Sequence, residues 1–349
     1  MVVNFILSYY ILFVLCCIIR NRIASDNDYH MLLSKESTGA LKGAAIFAVV
    51  ISHICQDAPE LKNLLIGGKY TYTILFSGGG IGVAIFFLLS GYGCYISIEK
   101  TQKEFIWFLK HALKMLIYFA VTFALVLLFS NYVLKGAFGQ KEWIQSFIAL
   151  RFPGTTSWYF KIQILFYLLL ALSEKAKKGQ TYLILIFILV YSIIADYCGL
   201  PDYWWKTSLC FAVGCCIAKY RDSLSRLIHK NVSKLFLIVI GCGAYIYTIV
   251  DLHYILIPQL LSYACIAVCI VVMWDYLIGK CEVLERVGQF SLAIYLIHIG
   301  VVDLTFSSNF GLETRIVIFI LTTIIGAVCV YWCSEYIYKF LLQKVKGGS

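Results

Sequence analysis

Charge is what this chain has least of. Only 14% of its 349 residues are Asp, Glu, Lys or Arg, against 61% hydrophobic, and mean hydropathy is +0.84. So few ionic groups cannot clothe a water-soluble globule, and apolar runs of membrane-spanning length recur from end to end. Other absences narrow the class further. No internal repeat, low-complexity linker or soluble domain of useful size interrupts the runs. No basic stretch interleaved with aromatics accompanies the net charge of +10, which excludes a nucleic-acid partner. The N-terminal apolar segment lacks a basic leader and a small-residue cleavage site, and Arg20 and Arg22 follow it, so it reads as a helix and not a signal peptide. Fourteen cysteines show neither zinc spacing nor a disulfide framework. Most fall inside apolar runs, where cysteine behaves as a small hydrophobe.

What remains is an all-α, polytopic transmembrane bundle. The runs predict helices over 2–19, 41–58, 74–98, 113–130, 157–173, 181–196, 204–218, 234–250, 256–278, 290–306 and 315–338, eleven in all. Backbone polar groups in hydrocarbon must be satisfied internally, and no run alternates as a lipid-facing strand would, so helices are the consistent solution. Segments 20–40, 99–114, 174–180, 219–234 and the tail after 338 are rich in Lys and Arg. The intervening loops are poorer in cations and hold Asp57, Asp196, Asp202, Asp251 and Glu313. The positive-inside rule then places the N-terminus outside and the C-terminus in the cytosol of an inner or plasma membrane protein. The longest outer connection, 131–156, carries Trp143, Ile144, Phe147, Ile148 and Leu150 at helical spacing, which predicts a short interfacial helix.

Ionisable groups inside such runs mark functional sites. In LKGAAIFAVVISH, His53 follows Lys42 by eleven residues, or about 16 Å of helix rise, close to mid-depth of a core about 30 Å thick. His298 in SLAIYLIH reaches a comparable depth, about 12 to 15 Å inward. Two such imidazoles can define one buried polar site, or each can serve as an interhelical hydrogen-bonding group. His30, His111, His229 and His253 lie in loops or at helix ends. In FSGGGIGVAIFFLLSGYG, residues 76 to 93, clustered glycines allow close helix approach or an unwound segment beside a cavity. They are no phosphate loop, since no Lys-Ser/Thr follows them.

These two blocks, with SWYFKIQILFYLLL at 157–170 and FSLAIYLIHIGVV at 290–302, resemble in order and spacing the signatures of the acyltransferase-3 family of bacterial membrane acyltransferases. The resemblance implies a ten-helix core over 40–341, preceded by an N-terminal helix and cytosolic linker in 1–39 and followed by a short tail, 342–349. It implies transfer of an acyl group, most commonly acetyl from acetyl-CoA as co-substrate with no resident cofactor or metal, to a hydroxyl of an envelope glycan or lipid-linked sugar. His53 aligns with the family's catalytic histidine, as general base or acyl relay, and His298 would assist it. Lys42 stands where arginine is usual, keeping the charge without the planar fork. His111 and Lys114 occupy the places of a second arginine pair, and with Lys42 would meet the phosphates of CoA. Gln163 stands for a frequent glutamate, and Glu335 matches a late one. Ser90, Tyr92, Trp158, Tyr159 and Gln163 would line the acceptor path.

The chemistry is coherent, because a neutral imidazole can take the hydroxyl proton as the oxygen attacks a thioester. Donors to the oxyanion would come from His298, Ser90 or amides of an interrupted glycine segment. A transporter or flippase for an envelope glycan, which also needs a polar site at the midplane, and a sensing membrane protein are the rival classes. Acceptor sugar, acyl chain and oligomeric state leave no trace in the residues.

Overall fold

The computed structural model describes residues 33–101, 103–132, 139–153, 157–228, 239–247 and 255–347, and among these every regular element is helical, with no strand. The helix expected over 2–19 and the histidines at 30, 229 and 253 lie outside the described residues, as do 234–238 and 248–250 of the helix expected over 234–250, whose residues 239–247 are helical. The principal helices are α1 (Lys35–Asp57), α2 (Gly68–Glu99), α3 (Glu104–Tyr132), α4 (Gln140–Ile148), α5 (Trp158–Ser173), α6 (Gln180–Tyr197), α7 (Leu209–Lys219), α8 (Arg221–Ile228), α9 (Leu256–Leu277), α10 (Glu282–Gln289), α11 (Ser291–Phe306) and α12 (Leu312–Gly347).

Local chemistry sets the boundaries. Ser34 caps α1 by accepting from the Ser37 amide at 3.1 Å, and Pro59 stops it by disfavouring helical geometry at Ala58. Gly67 and Gly68, both at positive φ, turn the chain into α2. Lys110, His111 and Lys114, expected in or at the edge of a loop, lie on α3, whose apolar face continues back to Glu104. The expected interfacial helix is α4, which buries Trp143 against Phe123 and leaves Ile144 and Ile148 exposed.

Among the described helices α1, α2, α3, α6, α9 and α12 are long and apolar enough to cross a membrane, and α10 with α11, bent by 60°, count as a seventh if the pair is one span. The reading of 204–218 as a full span is not met by its helix: α7 has 11 residues, about 16 Å, shorter than a hydrocarbon core of about 30 Å. The start of that stretch is a 3-10 turn, Asp202–Trp204, and a non-helical corner. α12 presents Leu321, Ile324, Ile325, Val328 and Trp332 outward on one face and buries Thr323, Ala327, Val330 and Ser334 on the other. An exposed apolar stripe of that length requires lipid as its solvent.

Polar links gather alternate helix ends into two faces. On one, Ser37 donates to Asp275 at 2.8 Å, Lys219 to Thr181 at 3.0 Å, and Lys114 pairs with Glu335 at 2.6 Å. On the opposite face Arg315 meets Glu60 at 3.0 Å and Tyr72 donates to the Cys55 carbonyl at 2.8 Å. α2 is the central post. Where it crosses α7, a Cβ on Gly91 would strike the Phe211 carbonyl and one on Gly214 the Leu88 carbonyl, so the two backbones touch only because both positions are bare.

Candidate active site

The site begins with the pitch of α1. Eleven residues at 3.6 per turn bring the helix back to within about 20° of its starting direction. Lys42 and His53 therefore share one face of α1, with Val49 between them. Each end of that face opens on a cavity. Lys42 lines a small one of about 140 Å³ together with Ser90, Tyr159, Gln163 and Tyr167. His53 lines a larger one of about 610 Å³, walled by Gln56, Ser77, Trp158, Lys206 and Gln259. Tyr295 lines both, and its ring lies 4.8 Å from that of Tyr159, so the two tyrosines form the partition.

α11 supplies the second imidazole. The rings of His53 and His298 are 5.1 Å apart and inclined by 60°. His298 is fully buried, and Tyr295, one turn earlier on the same face, stands edge-on to it at 5.4 Å. His298 Nδ1 lies 2.9 Å from the Ile294 carbonyl, which can only accept, so Nδ1 carries the proton. Nε2 is then a lone-pair acceptor, buried and without a hydrogen-bond partner. His53 is half-buried, the only one of the two imidazoles on a cavity wall.

This arrangement corrects two readings of the sequence. α1 starts seven residues before Lys42, which therefore sits about 10 Å inside the helix and not at its edge, while His53 is only about 6 Å from the far end. Along α11 His298 lies about 10 Å from Ser291 and about 12 Å from Phe306, and the ring contact sets His53 beside it at the same level. The glycine segment is not interrupted: α2 runs unbroken through Gly78–Gly82, which commits those amides to helical hydrogen bonds and removes them as oxyanion donors. His298 is likewise no such donor while neutral, its one N–H being spent on Ile294. The glycines serve instead to admit neighbours. A Cβ on Gly79 would lie 2.5 Å from Ser52 Oγ and one on Gly80 2.9 Å from the Tyr263 hydroxyl.

The remaining candidates separate. Gln163 donates to Ser90 at 2.8 Å, and both, with Tyr159, stand beside Lys42 and not beside His53. Trp158 alone of the expected acceptor-path residues lines the larger cavity, and Tyr92 is buried on neither wall. Lys42 forms no ion pair among the described residues. Lys114 has its charge met by Glu335, which also accepts from the Tyr118 hydroxyl at 2.8 Å. His111 bonds the Trp107 carbonyl at 2.8 Å and packs between Trp107 and Tyr167, one ring removed from the smaller cavity. Of the twelve described cysteines none is in a disulfide; Cys55 is buried and Cys198 exposed.

Sequence reasoning missed Tyr295, although its place three residues before His298 puts it on the same helical face. It also missed Lys206, Thr207 and Gln259, which sit at helix ends where polar residues are ordinary, so no pattern distinguished them.

The family model described as an acyltransferase domain matches residues 38–335. No curated protein and no solved structure matches the chain. The matched segment covers nearly all of the chain and contains both histidines, both cavities and the tyrosine partition, and this protein therefore belongs to the acyltransferase-3 family of membrane acyltransferases.

Proposed function

We propose that the protein transfers an acyl group, most simply acetyl, from acyl-CoA to a hydroxyl of an envelope or exported glycan, with His53 as the general base. The observation that carries this reading is the position of His53: on the wall of the larger cavity, against a buried imidazole, and on the same helical face as a cation about 16 Å of helix rise away that has no ion-pair partner among the described residues. The Lys-rich face is taken as cytosolic, with the C-terminus inside, in accord with the loop charges. The donor enters there and sets an anionic phosphate against Lys42. An ammonium partly buried without a counter-ion is costly until an anion arrives. The thioester then lies at the Tyr159–Tyr295 partition, and the acceptor reaches His53 through the larger cavity from the other face.

In the reaction His53 removes the hydroxyl proton as the oxygen attacks the thioester carbonyl. The tetrahedral intermediate expels the CoA thiolate, and the imidazolium returns the proton to sulfur, so an oxygen ester and a free thiol result. The His298 Nε2 lone pair can accept the N–H of His53, which leaves the other nitrogen of His53 free to act as base. Tyr295, on the wall of both cavities, is the hydroxyl best placed to donate to the developing oxyanion. The test follows free thiol from acetyl-CoA in nanodiscs with glycan acceptor fractions, wild type against His53→Ala. Acceptor-dependent release that disappears in the variant is expected; equal release in both removes His53 from the mechanism. Transport of the same glycan without any thiol release would favour the flippase reading.

A further inference from the structure

Two cations stand at membrane depth with no anion among the described residues to meet them. Arg151 lies in the corner that joins α4 to α5, and Lys161 lies one turn into α5. Ring contacts fix the depth of that corner. Phe152, next to Arg151, is buried with its ring 5.4 Å from that of Phe119, which sits near the middle of α3, about 20 Å of helix rise from either end. From α11, a Cβ on Gly300 would lie 3.3 Å from the Phe152 ring, and Gly300 is only two residues beyond His298. Lys161 is twelve residues, about 18 Å of rise, from Ser173 at the end of α5 on the Lys-rich face. A charge at such depth is tolerated where it meets water or a partner, and it marks function by default. Both side chains are partly exposed, and neither forms an ion pair or a side-chain hydrogen bond among the described residues. The Lys161 ammonium sits over the Trp204 ring at 5.9 Å, and the charge that acts on it is the like charge of Arg151. Trp204 belongs to the corner that descends from the outer end of α6, where its carbonyl accepts from the Tyr191 hydroxyl at 2.9 Å. In that corner Lys206 and Asp202 neutralise each other at 2.8 Å, which leaves two positive charges side by side.

We infer that Arg151 and Lys161 together hold one phosphoryl group of a molecule that approaches from the outer face. A phosphate monoester carries a charge of about −1.5 to −2 at pH 7, which matches two cations better than a singly charged carboxylate does. The guanidinium offers a planar fork to two of its oxygens, and the ammonium a point charge to a third. Neither residue lines either cavity, so this site is separate from the places given to the thioester and the attacking hydroxyl. The phosphoryl group can belong to a lipid of the outer leaflet or to a soluble ester, and the same oxygens are bound in each case. The assignment does not rest on acyl transfer, because it concerns binding in the absence of acetyl-CoA.

The test uses the full chain in phosphatidylcholine nanodiscs at fixed ionic strength. In one arm glycerol 3-phosphate is titrated, in the other phosphatidic acid replaces part of the phosphatidylcholine, and the melting temperature reports occupancy in both. A rise with glycerol 3-phosphate identifies a soluble ester as a source; a rise confined to the second arm identifies lipid. Arg151→Gln and Lys161→Met should each raise the half-saturating amount at least tenfold, the loss of one hydrogen bond to a charged group. Lys42→Met, in the smaller cavity, should leave it unchanged. Without ligand, both variants should melt at or above the wild-type temperature, because each removes one of two repelling charges. Protection in neither arm, protection that survives both substitutions, or equal protection by acetate would overturn the site. A lower ligand-free melting temperature with protection intact would assign the two cations to structure. Thiol release is read separately: if His53→Ala leaves it unchanged while the phosphoryl protection holds, the acyl-transfer mechanism fails and this site stands.

Discussion

Replacing Lys42 by methionine keeps the length and apolar stem of the side chain and removes only its charge. In the smaller cavity that ammonium has no anionic partner among the described residues, so the substitution breaks no ion pair in the empty protein. The ligand-free melting temperature should therefore hold or rise, since a poorly compensated charge is exchanged for a thioether. With acyl-CoA bound the sign reverses. A hydrogen bond between an ammonium and a phosphate is worth about 1.5–3 kcal/mol, which is about 10- to 150-fold in affinity. The apparent KM for acetyl-CoA should rise by that factor with kcat changed less than threefold, because Lys42 lies about 16 Å along α1 from the base. The control is a donor without phosphates, such as S-acetyl-N-acetylcysteamine, for which wild type and Lys42→Met should have the same KM. An equal rise with both donors would refute the reasoning, showing that the lysine shapes the cavity and does not bind the anion. Lys42→Arg should bind acetyl-CoA at least as well as wild type if its fork can seat in about 140 Å³.

Removing the phenol oxygen with Tyr295→Phe is expected to lower kcat 10- to 1,000-fold with little change in either KM, read as thiol release; an unchanged kcat would assign the oxyanion to another donor. Lys114→Ala should alter the KM for acetyl-CoA less than threefold, because that charge already serves Glu335, and should cost about 1 kcal/mol or less of stability since the pair is partly exposed. Gly91→Leu should prevent α2 and α7 from meeting, since even its Cβ would strike the Phe211 carbonyl; a melting temperature several degrees lower and loss of activity are expected, and an unaltered thermal profile would contradict the packing described. His298→Gln should reduce kcat at least tenfold while acetyl-CoA still binds, a split measured by comparing turnover with calorimetry.

An all-helical membrane protein was legible in the residues because hydrocarbon imposes one rule over long stretches: apolar side chains outside and every backbone group bonded within its own segment. The same simplicity made His53 and His298 stand out, since an imidazole in such a run needs a reason. Helical pitch is also a property of sequence spacing, so the shared face of Lys42 and His53 was contained in the number eleven. What the spacing could not contain is where each helix begins in depth. α1 starts at Lys35, ahead of its first long apolar run, which moves Lys42 inward and His53 toward the far end.

Only the tertiary structure decided which polar residues meet. It brought His298 against His53, gave Lys114 to Glu335, seated Ser90 and Gln163 with Lys42, and made Tyr295 the wall between two cavities. It also left Gln259 Oε1 and Thr207 Oγ1 buried without a hydrogen-bond partner among the described residues. The reason is physical: hydropathy specifies that a helix is buried in lipid, but its rotation and its neighbours are set by close contacts such as those at Gly91 and Gly214. Those contacts join residues more than a hundred positions apart, and no local pattern records them.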